Sequence, residues 1–153
     1  MLNRAWIEAR IPHKGEMCLL DGVDSHTEHE IICSALSHRW PDNPLRDESG
    51  LGILAGIEYA AQAMAVHGAL RDDGVETRGG GYLVSARDVT WSVRRLDLLS
   101  GPLSVRAQRL SGTASNVMYR FSLHAGVDEI LSGRATVILD ATGVDRSIAP
   151  TRK

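Results

Sequence analysis

From Gly52 to Leu70 the chain is apolar almost all the way round, yet it holds one carboxylate, Glu58, with Gln62 one helical turn later. A stretch of this length with no strand alternation reads as a helix that buries most of its faces. Burying an ionisable group without a partner costs several kcal/mol or shifts its protonation, so such a helix does not carry a Glu unless something is arranged around it. Glu58 is therefore the first candidate for chemistry, and Gln62, at i+4, is placed to orient its carboxylate by a hydrogen bond.

Turn punctuation organises the rest. A lead-in reaches Cys18-Leu19-Leu20, which reads as a short strand, and Thr27 to Leu36 reads as a second. The segment Ser37 to Ser49 holds Pro41, Asp42, Asn43, Pro44, Asp47 and Glu48, all poor strand residues, with Ser49 or Gly50 as the N-cap of a helix over about Gly50 to Leu70. After Gly79 four strands follow, Tyr82 to Val93, Leu103 to Leu110, Asn116 to His124 and Ile130 to Asp140, with turns at Gly101-Pro102, Ser111-Gly112, Ala125-Gly126 and Ser132-Gly133. Val117, Tyr119, Phe121 and Leu123 alternate with polar neighbours, the mark of a half-buried antiparallel strand. One long helix with strands before it and a meander after it is an α+β pattern in which a curved antiparallel sheet of five or six strands wraps the helix.

The 153 residues suffice for one domain with its own core, assigned to 1–144, with 145–153 as a frayed tail. Seventeen basic against nineteen acidic side chains, without runs of one sign, point away from nucleic acid and towards small molecules or proteins as partners. Charges throughout the first twenty residues, and Glu58 and Gln62 within the apolar helix, argue against a signal peptide or a membrane span, so a cytoplasmic protein is expected. Cys18 and Cys33 lack metal-ligand spacing and read as buried free thiols. His26, His29, His67 and His124 show no metal-ligand spacing, His13 reads as a loop-holding residue, and no Gly-x-Ser-x-Gly surrounds Ser49, Ser85 or Ser111. No metal is expected.

Two segments carry a resemblance. Ile11-Pro12-His13-Lys14-Gly15-Glu16-Met17-Cys18-Leu19-Leu20-Asp21 is similar to the lead-in of the β-hydroxyacyl-acyl carrier protein dehydratases, and Gly56-Ile57-Glu58-Tyr59-Ala60-Ala61-Gln62-Ala63 to their helix motif. Asn43-Pro44-Leu45-Arg46 and Ile57 to Ala65 resemble more closely the divergent dehydratase-like proteins of aryl-polyene and polyketide-type lipid synthesis. The resemblance implies a hotdog fold, a homodimer or a hetero-oligomer with a homologous hotdog subunit, an acyl carrier protein as partner, and no cofactor beyond the phosphopantetheine that carries the substrate. It implies elimination of water from a β-hydroxyacyl thioester to the trans-2-enoyl product: a His takes the proton beside the thioester carbonyl, and the helix carboxyl, here Glu58, protonates the departing hydroxyl. Backbone N–H groups at the helix start would polarise the thioester oxygen.

The family's His does not match in place. Fourteen and fifteen residues before Glu58 stand Pro44 and Asn43, while His38 lies twenty before it, and Ile53 replaces the family's helix-start Gly with Gly50 and Gly52 close by. Either His38 reaches back as the base, or Asn43 holds the base position and the site only binds, since an amide cannot take a proton near neutral pH. Glu58 and His38 are thus the catalytic candidates and Asn43, Gln62 and Gly52 the substrate-binding ones. Arg46, Arg87, Arg94 and Arg95 are candidates to meet an acidic carrier. A catalytically silent subunit partnering an active dehydratase, and a thioesterase using the same carboxylate to activate water, stay open beside the dehydratase reading.

Overall fold

The computed structural model describes residues 2–11, 15–71, 81–113 and 115–139. Alternation dictates the sheet. In β6 (Asn116–Ala125) Val117, Tyr119, Phe121 and Leu123 are buried and the residues between them are less so; β5 (Leu103–Gly112) buries Leu103, Val105 and Ala107; β3 (Glu30–Ala35) buries Ile31, Cys33 and Ala35. With β1 (Leu2–Asn3), β2 (Gly22–His26), β4 (Gly81–Trp91) and β7 (Asp128–Leu139) they form one antiparallel sheet in the order β1-β2-β3-β5-β6-β7-β4.

The buried side chains of the sheet meet α2 (Gly56–Arg71), which packs on β3, β4, β5 and β6. The helix comes close because Gly56 has no side chain: a Cβ there would lie 2.6 Å from Leu131 Cδ2 and 3.0 Å from Leu123 Cδ2. Ala60, Ala63, Met64 and Val66 continue that contact surface into the core. Each fully buried Leu or Phe of this layer contributes about 2 kcal/mol of transfer free energy. The arrangement is the α+β helix-in-sheet architecture expected.

Several boundaries differ from the sequence reading. The sheet has seven strands, because the two-residue β1 and the mostly exposed β2 give no hydrophobic pattern; α1 (Arg4–Glu8), capped by Asn3 accepting from the Trp6 N–H, is too short to show a period. Cys18-Leu19-Leu20 is not a strand, since side chains take up its backbone: the Arg4 guanidinium donates to the Cys18 and Leu20 carbonyls, and Gln62 binds Leu19. Ser132-Gly133 lies inside β7 rather than in a turn, and the Phe121 ring occupies the space a Gly133 side chain would need, its Cζ 2.8 Å from that Cβ position. Cys18 and Cys33 are buried free thiols, and burial, with Asp24 nearby, pushes the Cys33 thiol up to about 12, where it is inert. His13 and the segment 145–153 lie outside the described residues.

Candidate functional site

The start of α2 is built by a short antiparallel pairing that precedes it. Ile53 N–H donates to the Arg94 carbonyl at 2.9 Å and Leu96 N–H to the Leu51 carbonyl at 2.8 Å. Beside this pair the Asp97 carboxylate, its side chain only 4% exposed, accepts from Leu51 N–H at 3.0 Å and from the Arg95 guanidinium at 3.1 and 2.6 Å, with Arg46 Nη1 at 3.6 Å. The Arg95 hydrogen bonds, reinforced by the Leu51 N–H, hold its carboxyl well below the usual carboxylate range against the opposing effect of burial. Gly50 turns the chain into this pairing at φ +106°, a conformation side chains rarely adopt.

From there a 3-10 turn over Ile53–Ala55 leads into α2. The capping residue of this turn is Gly52 rather than Ser49 or Gly50, and being Gly it offers no side-chain cap; backbone carbonyls take up the N–H groups instead, Arg94 that of Ile53, Gly52 that of Ala55, and Ile53 with Leu54 that of Gly56, at the positive end of the helix dipole. Glu58 sits in that first turn.

Its surroundings correct the expectation of an enclosed carboxylate. Glu58 is exposed, and the described residues give it no hydrogen bond or ion pair. Two sides of α2 are covered, one by the sheet and one, through Tyr59 and Gln62, by the lead-in. The third, with Leu54, Ile57, Glu58, Ala61 and Ala65 at helical spacing, is apolar in type but only partly buried, with Leu54 51% exposed. The helix lacks a polar face although one face is open in the single chain.

A buried polar network lies beside the first turn. Ser37 Oγ donates to the Leu19 carbonyl at 2.8 Å, so the Tyr59 hydroxyl, 2.7 Å away, donates to Ser37 Oγ; Tyr59 in turn accepts from Asn43 Nδ2 at 3.2 Å. Asn43 also donates to the Ser37 carbonyl at 2.8 Å and accepts from Leu45 N–H at 2.8 Å, which occupies its amide at both ends. Gln62 accepts from Leu19 N–H at 2.8 Å and donates to the Met17 carbonyl at 2.6 Å. Its amide thus clamps the lead-in and does not orient Glu58.

His38 follows Ser37 in a 3-10 turn, Ser37–Arg39. The ring is fully buried, with Nε2 3.2 Å from the Leu99 carbonyl, which also accepts from Arg39 Nη1 at 3.1 Å. A carbonyl only accepts, so Nε2 carries the proton; Nδ1 is left as a buried lone pair with no partner. Burial, above the smaller opposing effect of the Leu99 carbonyl, lowers this imidazole below its ordinary value and keeps it neutral. The Ser37–Tyr59 bond brings His38 and Glu58 each within one residue of a shared contact, but one group is sealed inside and the other open to solvent.

The remaining histidines are placed elsewhere. His67, buried on α2, donates to the Thr27 carbonyl at 2.9 Å and accepts from the Tyr119 hydroxyl at 2.7 Å; His26 and His29 are exposed, and His124 lies on the outer sheet face. Of the four arginine candidates, Arg46 and Arg95 converge on Asp97, whereas Arg87 and Arg94 are exposed. Among the described residues no group of His, Cys, Asp and Glu is arranged to hold a metal, and no helix is long and apolar enough to cross a membrane. Sequence reasoning missed Tyr59, Ser37 and Asp97. Tyr59 carried a usable signal, since a phenol on an apolar helix needs a hydrogen-bond partner; Asp97 has Arg95 close in sequence, but its link to Leu51 and Arg46 is set only by the fold.

Comparison with known proteins places this geometry. The profile of the ApeP-like family, described as ApeP dehydratase, matches residues 5–145. The dehydratase heterocomplex ApeI:P from Xenorhabdus doucetiae contains a chain of the same fold, with a TM-score of 0.80 at 19% identity, covering 93% of this chain and 96% of that one. A thioesterase of Staphylococcus aureus, studied as a mutant, superposes with a TM-score of 0.59 at 14% identity over 77% of this chain and 91% of that one. Zebra fish thioesterase superfamily member 2 gives 0.54 at 17% identity over 91% and 99%. No curated protein matches by sequence. The fold is the hotdog fold.

Proposed function

The chain belongs to the ApeP-like dehydratase family, and from that premise we propose that it is a subunit of a 3-hydroxyacyl-thioester dehydratase in polyene lipid synthesis, contributing Glu58 as the acid and working with a homologous hotdog subunit. The placement of Glu58 carries the reading: a carboxylate in the first turn of the helix, at the positive end of its dipole and on an apolar stripe that this chain leaves uncovered. A partner laid over Leu54, Ile57, Ala61 and Ala65 would strip water from the site, the condition under which a carboxylic acid keeps its proton for transfer. The edge strand β4, which pairs only with β7 among the described residues, is a second surface suited to a partner. That the similar Xenorhabdus structure is a heterocomplex supports two unlike subunits.

In the elimination a base removes the proton next to the thioester carbonyl, the electron pair forms the new double bond, and the β-hydroxyl leaves as water with the proton of Glu58. Proton exchange with solvent then returns both groups to their starting states. His38, neutral and with a free Nδ1 lone pair, has the electronic form of a base but is sealed from solvent in the single chain. The base therefore comes either from the partner or from His38 once the Ser37–Arg39 turn is displaced by assembly. Gly52 is the substrate-facing backbone of the helix start, while Asn43 and Gln62 shape the walls through the lead-in. The substrate rides on the phosphopantetheine of an acyl carrier protein, and no other cofactor takes part.

The test is to assay the chain alone, and together with a homologous hotdog subunit from the same organism, on a 3-hydroxyacyl carrier substrate for enoyl product. Activity is expected from the assembly, with Glu58→Gln lowering it about a hundredfold or more. An assembly as active with Glu58→Gln as without it would make this chain a silent partner. Free thiol without enoyl product would make it a thioesterase, the activity named for several proteins of the same fold.

A further inference from the structure

The face of the sheet opposite α2 carries a basic row that folding does not require. Arg134 of β7 lies directly opposite Arg87 of β4 on one side and Arg120 of β6 on the other, and all three are exposed. Directly opposed residues share a face, and like charges so placed cost stability. The next row along the strands sets Thr90, Ser132 and Ser122 side by side, with Arg106 opposite Ser122. Arg87 and Thr90 are three apart in sequence and would face opposite ways in a regular strand. A bulge between them, with Asp88 at φ +55°, turns both to the outer face.

Around these side chains is a depression of about 320 Å³ lined by Arg120, Arg134, Ser122 and Ser132 together with Asp88 and Glu129. The two carboxylates do not neutralise it. Asp88, 71% exposed, reaches only Arg134, at 4.0 Å, and Glu129 reaches His124 at 3.9 Å, so Arg87 and Arg120 have no ion pair among the described residues. Four arginines thus share one face of a chain whose net charge is −2.

We propose that this outer face docks the acyl carrier protein, Arg87, Arg134 and Arg120 meeting carboxylates of its acidic surface; the proposal rests on the dehydratase reading above. Guanidinium forks suit carboxylates in a row, and the hydroxyls between them offer further donors. Nucleic acid fits less well, because a phosphate backbone would meet Asp88 and Glu129 as well and the chain as a whole is acidic. The row starts on the edge strand β4, which α2 also contacts from the inner side, so with the partner seated on α2 rather than on β4 a carrier held here can pass its flexible arm round that edge towards Glu58.

The experiment compares the assembled protein with its Arg120→Gln/Arg134→Gln and Arg120→Glu/Arg134→Glu forms. Carrier binding by titration calorimetry should weaken by about tenfold or more in the Glu form, less in the Gln form, and lose much of its salt dependence. KM for a carrier-borne substrate should rise in parallel while turnover of the same acyl group on N-acetylcysteamine stays unchanged. The Gln form should melt no lower than the parent, since it removes opposed like charges. Unchanged carrier binding in both variants overturns the proposal, as does an equal loss with a coenzyme A thioester, which would mark a site for phosphate rather than for the carrier. An assembly that binds carrier through these arginines but eliminates no water would refute the dehydratase reading and leave the docking surface standing.

Discussion

The Leu51 backbone N–H donates to the Asp97 carboxylate at 3.0 Å, and this bond fixes where the chain enters α2. Its partner Arg95 leaves no room for a side chain at Gly50, whose Cβ would lie 2.6 Å from Arg95 Nη2 and 2.7 Å from Asp97 Oδ2. One carboxylate therefore holds the pairing before the helix and, through it, the first turn that displays Glu58.

Asp97→Ala should destabilise the fold by about 1–3 kcal/mol, as expected when charged hydrogen bonds to a buried carboxylate are removed. Gly50→Ala should cost a similar amount, about 1–3 kcal/mol, through backbone strain and displacement of the same pair. Urea unfolding of the two single mutants and the double mutant checks this: both act on one contact, so the double mutant should lose less than the sum.

Tyr59→Phe removes the hydroxyl that joins Ser37 to Asn43. Ser37 keeps its bond to the Leu19 carbonyl, but one Asn43 N–H is left buried without its acceptor, so a loss of about 1–2 kcal/mol is expected. Thermal unfolding measures it, and faster amide exchange at Leu45, whose N–H binds Asn43, would locate it.

How far the sequence revealed this site depends on how local each determinant is. The helix and β4 to β7 were legible because period and turn chemistry lie within a dozen residues, and Glu58 stood out as the one charge on an apolar helix. That α2 is uncovered on one side was not legible, because Ala61 and Ala65 look the same whether a sheet or a second subunit covers them. Asn43 and Gln62 were recognised as site-associated, yet their hydrogen bonds run to Ser37 and to Met17 and Leu19, partners that only the folded chain brings near. Asp97 has Arg95 two residues before it, but the Leu51 N–H and Arg46 that give the pair its place lie more than forty positions earlier, and an Arg-x-Asp alone does not mark them.

Acid should destabilise the protein in two stages. Burial lowers His38 and His67 below the ordinary imidazole value, so the unfolded chain takes up protons at a higher pH than the fold does. Stability from these neutral rings is complete above about pH 6.5 and declines as pH falls below it. Asp97, lowered by Arg95, adds a second loss below about pH 4. Unfolding free energy measured from pH 8 to pH 3 should follow this course, with His67→Gln flattening the first stage and Asp97→Asn the second.

Ala61 lies on the open stripe of α2 one turn beyond Glu58, where a partner subunit would bury it. In the single chain, Ala61→Arg places a flexible cation on a half-exposed surface, where the effect on stability should stay within about 0.5 kcal/mol. Under a partner the same cation would be desolvated against Leu54, Ile57 and Ala65 with no carboxylate but Glu58 in reach, a cost of several kcal/mol. Ala61→Arg should therefore keep the circular dichroism and melting temperature of the isolated chain yet abolish co-purification with a hotdog subunit and dehydration by the pair. Retained assembly would move the interface away from α2 and leave the edge of β4 as the surface that joins the subunits.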